Sequence, residues 1–363
     1  MDAYITSTGS FLPGPARENY EIADILGTLE HEGPIREKIL RTNGIRRRHY
    51  ATDSDQESTM DVYDLGVCAA RACLTKASGI GIHQPTYIGA GTTYAPFSGP
   101  GIASTIHERI SSAKTIEHAV EIQSFSGICS SSAQAIVAAS RAIRSEDHTL
   151  ALVIGTEHAS RILKSSYIQL PETYDSNQTL RKTSWFMSVF LRSMLSDGAG
   201  AALIQNSPGE GPWALRVNWT HSRSFAHQTE RCMTLETDSG RLSQDVDVLA
   251  KYMRPCIDEF LDSAMTTNKD SLDEYSWVLP HLSSFFFKRQ LLSRLKGVSG
   301  EALPYWTNLE TAGNTGAASI FIMLDEFMEE RGYALNHGDR LLLFVPESSH
   351  FNFVLLSLTV IRP

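Results

Sequence analysis

Short apolar runs of strand length alternate with helical patterns from one end of the chain to the other, and that alternation restricts the fold to layered α/β architectures. In the first half a strand pattern covers residues 3–11 and is closed by Pro13-Gly14. A helical pattern follows at 61–78, a strand at 86–93, a turn around Cys129, a helix to about Arg144 and a strand at 150–155. The second half reads similarly, with a strand pattern at 213–219, a helical one at 242–265, a strand at 276–282 that delivers His281, and helical character at 285–295. A helix at 316–331 and two strands, 340–345 and 351–361, joined by Pro346-Glu347-Ser348-Ser349-His350, close the chain. Two halves are therefore expected, 1–205 and 206–363, each with a strand that carries a reactive side chain to a helix start. Residues 160–195 fit this scheme least: polar around 171–182, then apolar and aromatic over 185–194. They read as an insertion forming a lid or subunit contact, or as an amphipathic helix packed on its own domain.

The 363 residues, 42% of them hydrophobic and 20% charged, suffice for a large buried core. A formal net charge of -9 argues against a general nucleic-acid or anionic-membrane binder and leaves the basic stretch 41–48 as a local patch for an acidic partner. The opening Met1-Asp2-Ala3-Tyr4 lacks the basic region and apolar core of a signal peptide, and no apolar run approaches a membrane span, so a cytoplasmic protein is expected. Five cysteines at irregular spacings favour neither a disulfide framework nor a zinc site; reduced thiols and no metal are expected.

Cys129 has a setting that the other four cysteines lack. In Ser126-Gly127-Ile128-Cys129-Ser130-Ser131-Ser132 a strand runs out into small residues and a helix begins. Unpaired N–H groups and the positive end of the helix dipole are expected to favour a thiolate there, and the small neighbours leave room for a carbonyl substrate. A buried, inert cysteine is the alternative. His281 ends an apolar strand, which suits a catalytic or a core histidine. Asn314, in Gly313-Asn314-Thr315-Gly316, suits either a polar site or a cap on the following helix. His31, His49, His83, His107, His118, His148, His158, His221, His227 and His337 gain no role from their settings.

Five ordered motifs carry a family resemblance: the opening 5–13; Thr42-Asn43-Gly44-Ile45-Arg46-Arg47-Arg48-His49; the cysteine elbow; Ser196-Asp197-Gly198-Ala199-Gly200; and the Gly313-Asn314-Thr315 box. On these the chain resembles the β-ketoacyl-acyl carrier protein synthase III branch of the thiolase superfamily. The resemblance implies a duplicated αβαβα five-layer α/β fold, a homodimer, and a Cys129, His281, Asn314 triad. It implies acyl transfer from a coenzyme A or phosphopantetheine thioester to Cys129, followed by decarboxylative Claisen condensation with a malonyl-type or β-ketoacyl thioester. No cofactor or metal is implied, and the expected partners are acyl carrier protein or acyl-coenzyme A. His281 and Asn314 would stabilise the enolate, while backbone N–H groups, of Cys129 and of Ser348 or Ser349, would receive the oxyanion. Arg41, Arg46, Arg47, Arg48, Lys288 and Arg289 are the expected contacts to phosphopantetheine or carrier, with a solvated basic face as the alternative.

Cysteine and histidine lie 152 residues apart, more than the family usually shows, and residues 160–195 supply the excess. Two loops depart from the family pattern: His281 is followed by Leu282-Ser283-Ser284 and three phenylalanines, and the glycine-rich closing turn is replaced by Pro346 to Phe351. These departures point to a specialised member of fatty-acid or polyketide metabolism. An acyltransferase with an alcohol or amine acceptor, and a silent subunit of a heterodimer, are the competing expectations.

Overall fold

Neighbouring residues of the core strands belong to different cores. Side chains alternate across a strand, so a strand buried on both faces splits its residues between two layers. In Leu150–Glu157, Ala151 and Val153 join one apolar cluster while Leu150, Leu152 and Ile154 join a second. In Arg340–Pro346, Leu341, Leu343 and Val345 join that same first cluster, whereas Leu342 and Phe344 join a third. The shared cluster contains the apolar faces of two helices, Ser131–Arg144 and Ser319–Arg331. The two outer clusters are covered by Val62–Ser78 and Ile102–Ser112 on one side and by Val246–Asn268 on the other. The layer order is therefore helices, sheet, central helices, sheet, helices. The computed structural model describes residues 1–30, 32–78, 84–168, 184–236, 238–297 and 300–363.

Strand pairing repeats between the halves. Ala3–Phe11, Gly198–Gln205, Leu150–Glu157 and Tyr87–Thr92 are joined antiparallel, antiparallel and parallel. Ala214–Ser224, Asn352–Ile361, Arg340–Pro346 and Trp277–Pro280 follow the same sequence of pairings. The first half adds an edge strand, Glu121–Ser126, parallel to Tyr87–Thr92. Pairing of Ala3, Tyr4 and Ile5 with Val217, Arg216 and Leu215 links the halves. Corresponding positions follow from the repeat: the two central helices match, and the end of Tyr87–Thr92 matches the end of Trp277–Pro280. Cys129 lies just before one central helix, Asn314 just before the other, and His281 at the matched strand end.

Both central helices press their starts onto glycines of the first half. A Cβ on Gly91 would lie 2.6 Å from the Ser132 backbone, and one on Gly155 would lie 2.8 Å from Phe321 and 2.9 Å from the Ala317 carbonyl. Only a hydrogen at these positions admits the helix starts that frame the site.

The helical pattern at 242–265 is corrected by its cap. Asp245 accepts hydrogen bonds from the Asp247 and Val248 N–H groups at 2.9 and 3.0 Å, so the helix begins at Val246, while Leu242–Gln244 forms a strand paired with Met233–Leu235. The pattern at 316–331 starts as a 3-10 turn, Gly316–Ala318, and the one at 285–295 ends as the helix Phe285–Leu292. Of the insertion, residues 169–183 lie outside the described residues, as do His31 and His83. Its far end, the helix Ser184–Arg192, buries Trp185 and Val189 against Leu29 and Ile39 of its own chain. Among the described residues no helix is long and apolar enough to cross a membrane.

Candidate active site

Cys129, His281 and Asn314 line one cavity of about 100 Å³. Cys129, half-buried, occupies the turn between Glu121–Ser126 and Ser131–Arg144. His281 follows Trp277–Pro280, and its N–H donates to the Phe344 carbonyl at 2.8 Å. Its ring is buried, neither ring nitrogen has a partner, and burial pushes it down to about 4, so the imidazole is neutral at physiological pH. A neutral imidazole offers one donor and one acceptor, both here left for a ligand.

Asn314 is tied to the end of the insertion. Its N–H donates to the Met194 carbonyl at 3.0 Å and its carbonyl accepts from the Ser196 N–H at 2.9 Å. The side-chain Oδ1 accepts from the Gly316 N–H at 3.0 Å. The cap position of the Gly316–Ala318 turn is Thr315, so this bond is a local turn rather than a cap, and it fixes the Asn314 amide plane on the cavity wall with Nδ2 as the remaining donor.

The electrostatics of Cys129 reverse the expected thiolate. Burial pushes the thiol up, and the Glu347 and Glu157 carboxylates raise it further. Glu347 was visible only as part of an unusual loop. It is buried, and its Oε2 accepts the Ile128 N–H, the Ser130 N–H and the Ser130 hydroxyl at 3.2, 2.9 and 2.7 Å. The donors expected to favour a thiolate already face a carboxylate.

Glu157, at the end of Leu150–Glu157, is a second cavity residue that sequence reasoning missed. Burial pushes its carboxyl up to about 7, against hydrogen bonds from the Thr93 hydroxyl (2.6 Å) and the Ala317 N–H (3.0 Å) that favour the charged form. The folded state therefore holds the proton over a range where the unfolded chain, near the ordinary 4.5, has lost it. Stability from this group is full below about 4.5 and is lost as pH rises through 7, by roughly 3 kcal/mol. Glu157→Gln keeps an acceptor oxygen and cannot ionise. It is expected to be about 2–3 kcal/mol more stable than the parent at pH 8, with the gap closing toward pH 5, in urea unfolding at the two pH values.

The other expected contacts divide. Ser348 lines the cavity and accepts from the Gln244 amide at 3.0 Å, whereas the Ser349 hydroxyl donates to Glu347 Oε1. Arg41, Arg46, Lys288 and Arg289 are absent from the described cavity wall. Arg46 pairs with Glu310 at 2.6 Å, Arg41 lies 3.7 Å from Glu37, Lys288 sits over the Phe285 and Tyr305 rings, and Arg289 is exposed. Arg47 bonds Glu18 at 2.7 Å, and Arg48 is fully buried, donating to Asn19 and the Ser193 carbonyl, which removes it from any phosphate site. The basic residues on the wall are Arg254 and Arg294, which flank Asp258 at 3.9 and 3.0 Å. Their helical context gave no sign that they face the cavity. Leu191, Met194 and Leu249 make its surface predominantly apolar, as an acyl chain requires.

The family described as "Thiolase, N-terminal domain" matches residues 46–189, and "3-Oxoacyl-[acyl-carrier-protein (ACP)] synthase III C terminal" matches 265–345. The chain is 26% identical over 349 residues to a β-ketoacyl-[acyl-carrier-protein] synthase III of Rhodospirillum centenum, covering 94% of each protein. Among solved structures it is similar to AbyA1, a tetronic acid condensing enzyme, with a TM-score of 0.78 and 21% identity over 98% of this chain and 99% of that one. It is similar also to OleA of Xanthomonas campestris, with a TM-score of 0.78 and 17% identity over 99% of this chain and 98% of that one. The last two likenesses speak to the fold, which is the thiolase fold. Two family matches in chain order, a full-length relative and the duplicated layers agree: the chain belongs to the thiolase superfamily, among the β-ketoacyl synthase III-like, acyl-transferring condensing enzymes.

Proposed function

We propose that Cys129 takes an acyl group from a coenzyme A or phosphopantetheine thioester and that the acyl group is then condensed with a malonyl-type or β-ketoacyl thioester. The observation that carries this reading is a neutral histidine, unpaired at both ring nitrogens, sharing an apolar cavity with a cysteine and an oriented asparagine amide. In the first step the sulfur of Cys129 attacks the thioester carbonyl while His281 accepts the thiol proton. The bond from carbonyl carbon to donor sulfur breaks, and the departing thiolate receives that proton from His281. In the second, the carboxylate of a malonyl-type extender leaves as carbon dioxide, and the electron pair becomes an enolate held by hydrogen bonds from His281 and Asn314. The enolate carbon attacks acyl-Cys129, collapse of the oxyanion expels the Cys129 sulfur as a thiolate, and that sulfur takes one proton from solvent, matching the proton the overall condensation consumes.

Arg254 and Arg294 suit the phosphate of the thioester's pantetheine arm, borne by acyl carrier protein or by coenzyme A. OleA, a fold neighbour, has been solved with bound lauric acid and lauroyl-coenzyme A, in keeping with an apolar acyl site on this fold. The altered loops after His281 and Pro346 favour a specialised role in fatty-acid or polyketide metabolism. The edge strand Glu121–Ser126, exposed along most of its length and leading into the Cys129 turn, suits pairing with a second copy in a homodimer.

The competing reading, transfer of the acyl group to an alcohol or amine, differs in its products. Acyl thioester plus malonyl thioester should release one carbon dioxide per condensation product. Acyl consumption without carbon dioxide, in the presence of an alcohol or amine, would replace condensation by acyl transfer.

A further inference from the structure

The turn between Arg340–Pro346 and Asn352–Ile361 places Glu347 on the Cys129 elbow. Its carboxylate accepts five hydrogen bonds. Three come from the elbow, namely the Ile128 N–H, the Ser130 N–H and the Ser130 hydroxyl, and two from its own turn, namely the Asn352 amide at 3.0 Å and the Ser349 hydroxyl. The Glu347 N–H is itself taken by the Asn352 carbonyl at 3.0 Å. The side chain is 1% exposed, so the interaction is little screened by solvent. Backbone donors on both sides of Cys129 thus converge on one oxygen, as they would on a bound anion.

We propose that Glu347 is a positioning residue that fills the anion cradle of the elbow and holds Cys129 as a neutral thiol until a thioester is bound. This rests on the reading of Cys129 as the acyl-carrying nucleophile. A negative charge fixed among the elbow's donors leaves fewer of them for a thiolate and repels one directly. The groups facing the thiol agree: Glu157, from the end of Leu150–Glu157, adds a second acidic side chain, and His281, from the end of Trp277–Pro280, is neutral. The cations of the cavity wall, Arg254 from Val246–Asn268 and Arg294 beyond Phe285–Leu292, are engaged by Asp258. Cys129 therefore ionises only as His281 accepts its proton during attack, and a stray electrophile meets a thiol rather than a thiolate.

Alkylation by iodoacetamide, followed at the Cys129 peptide as a function of pH, tests this without any thioester or turnover. Its outcome is thus independent of whether Cys129 carries acyl groups, which fails separately by the absence of an acyl adduct. In the unaltered chain the alkylation midpoint is expected well above that of an ordinary thiol. A midpoint at or below about 8.5, the ordinary thiol value, would overturn the proposal without recourse to any variant. Glu347→Gln retains acceptor and shape but loses the charge. It is expected to lower the midpoint by about one unit or more and to speed alkylation at pH 7 roughly tenfold. A folded Glu347→Gln protein with the parent's midpoint would contradict the role assigned to the charge, and Glu347→Asp, which keeps it, should retain a high midpoint.

Discussion

Cys129→Ala should abolish product formation, lowering condensation by about 10³-fold or more, while the protein melts within a few degrees of the parent. Covalent catalysis divides one difficult acyl transfer into two easier ones, and the division is lost with the atom that carries the intermediate. Ser283 and Ser348 also line the cavity, but a serine hydroxyl is a far weaker nucleophile without a base aligned on it. Neither donates a hydrogen bond to His281, whose ring nitrogens are both unpaired. The half-buried thiol contributes little packing, so a large loss of activity with a small loss of stability is the signature expected. Product formation from acyl and malonyl thioesters, measured beside a thermal melt, checks it.

His281→Ala and Asn314→Ala should separate the two half-reactions. With Cys129 held as a thiol, acylation needs a base, and His281 is the neutral, unpaired group on the wall. His281→Ala should slow single-turnover acylation by about 10²- to 10⁴-fold, and condensation at least as much. Asn314 can donate through Nδ2 but cannot accept a proton. Asn314→Ala should leave acylation within a few-fold and slow condensation by about 10²- to 10³-fold. Losing its bond to the Gly316 N–H should cost about 1 kcal/mol of stability, visible in the melt. Equal loss of acylation in both variants would put the division of labour between them wrong.

What was legible in the sequence was local. Strand periodicity, the small residues around Cys129, the strand end at His281 and the glycine-flanked Asn314 are each contained within a few residues. The repeat of the halves then brings them onto one cavity. What stayed hidden depends on contacts between distant segments. Glu347 meets Ile128 and Ser130 across 219 and 217 residues, and Glu157 meets Ala317 across 160, so nothing beside either carboxylate in the chain announces its burial. The thiolate expectation failed for this reason: a helix start favours an anion, but here the anion is supplied by Glu347. The basic residues divide by burial and pairing. Arg46 and Arg47 have carboxylate partners, Arg41 lies near one, and Arg48 is buried, whereas Arg254 and Arg294, which flank Asp258, line the cavity, Arg294 five residues beyond Arg289.

The central claim is that the elbow cysteine carries the acyl group between donor and acceptor. Intact-protein mass spectrometry after mixing the purified chain with an acyl thioester, and before any extender is added, addresses it directly. A mass increase of one acyl group, located by peptide mapping to Cys129 and discharged on adding a malonyl thioester, is the predicted result. No increase, or an acyl group on another residue such as the partly exposed Cys68, would contradict it.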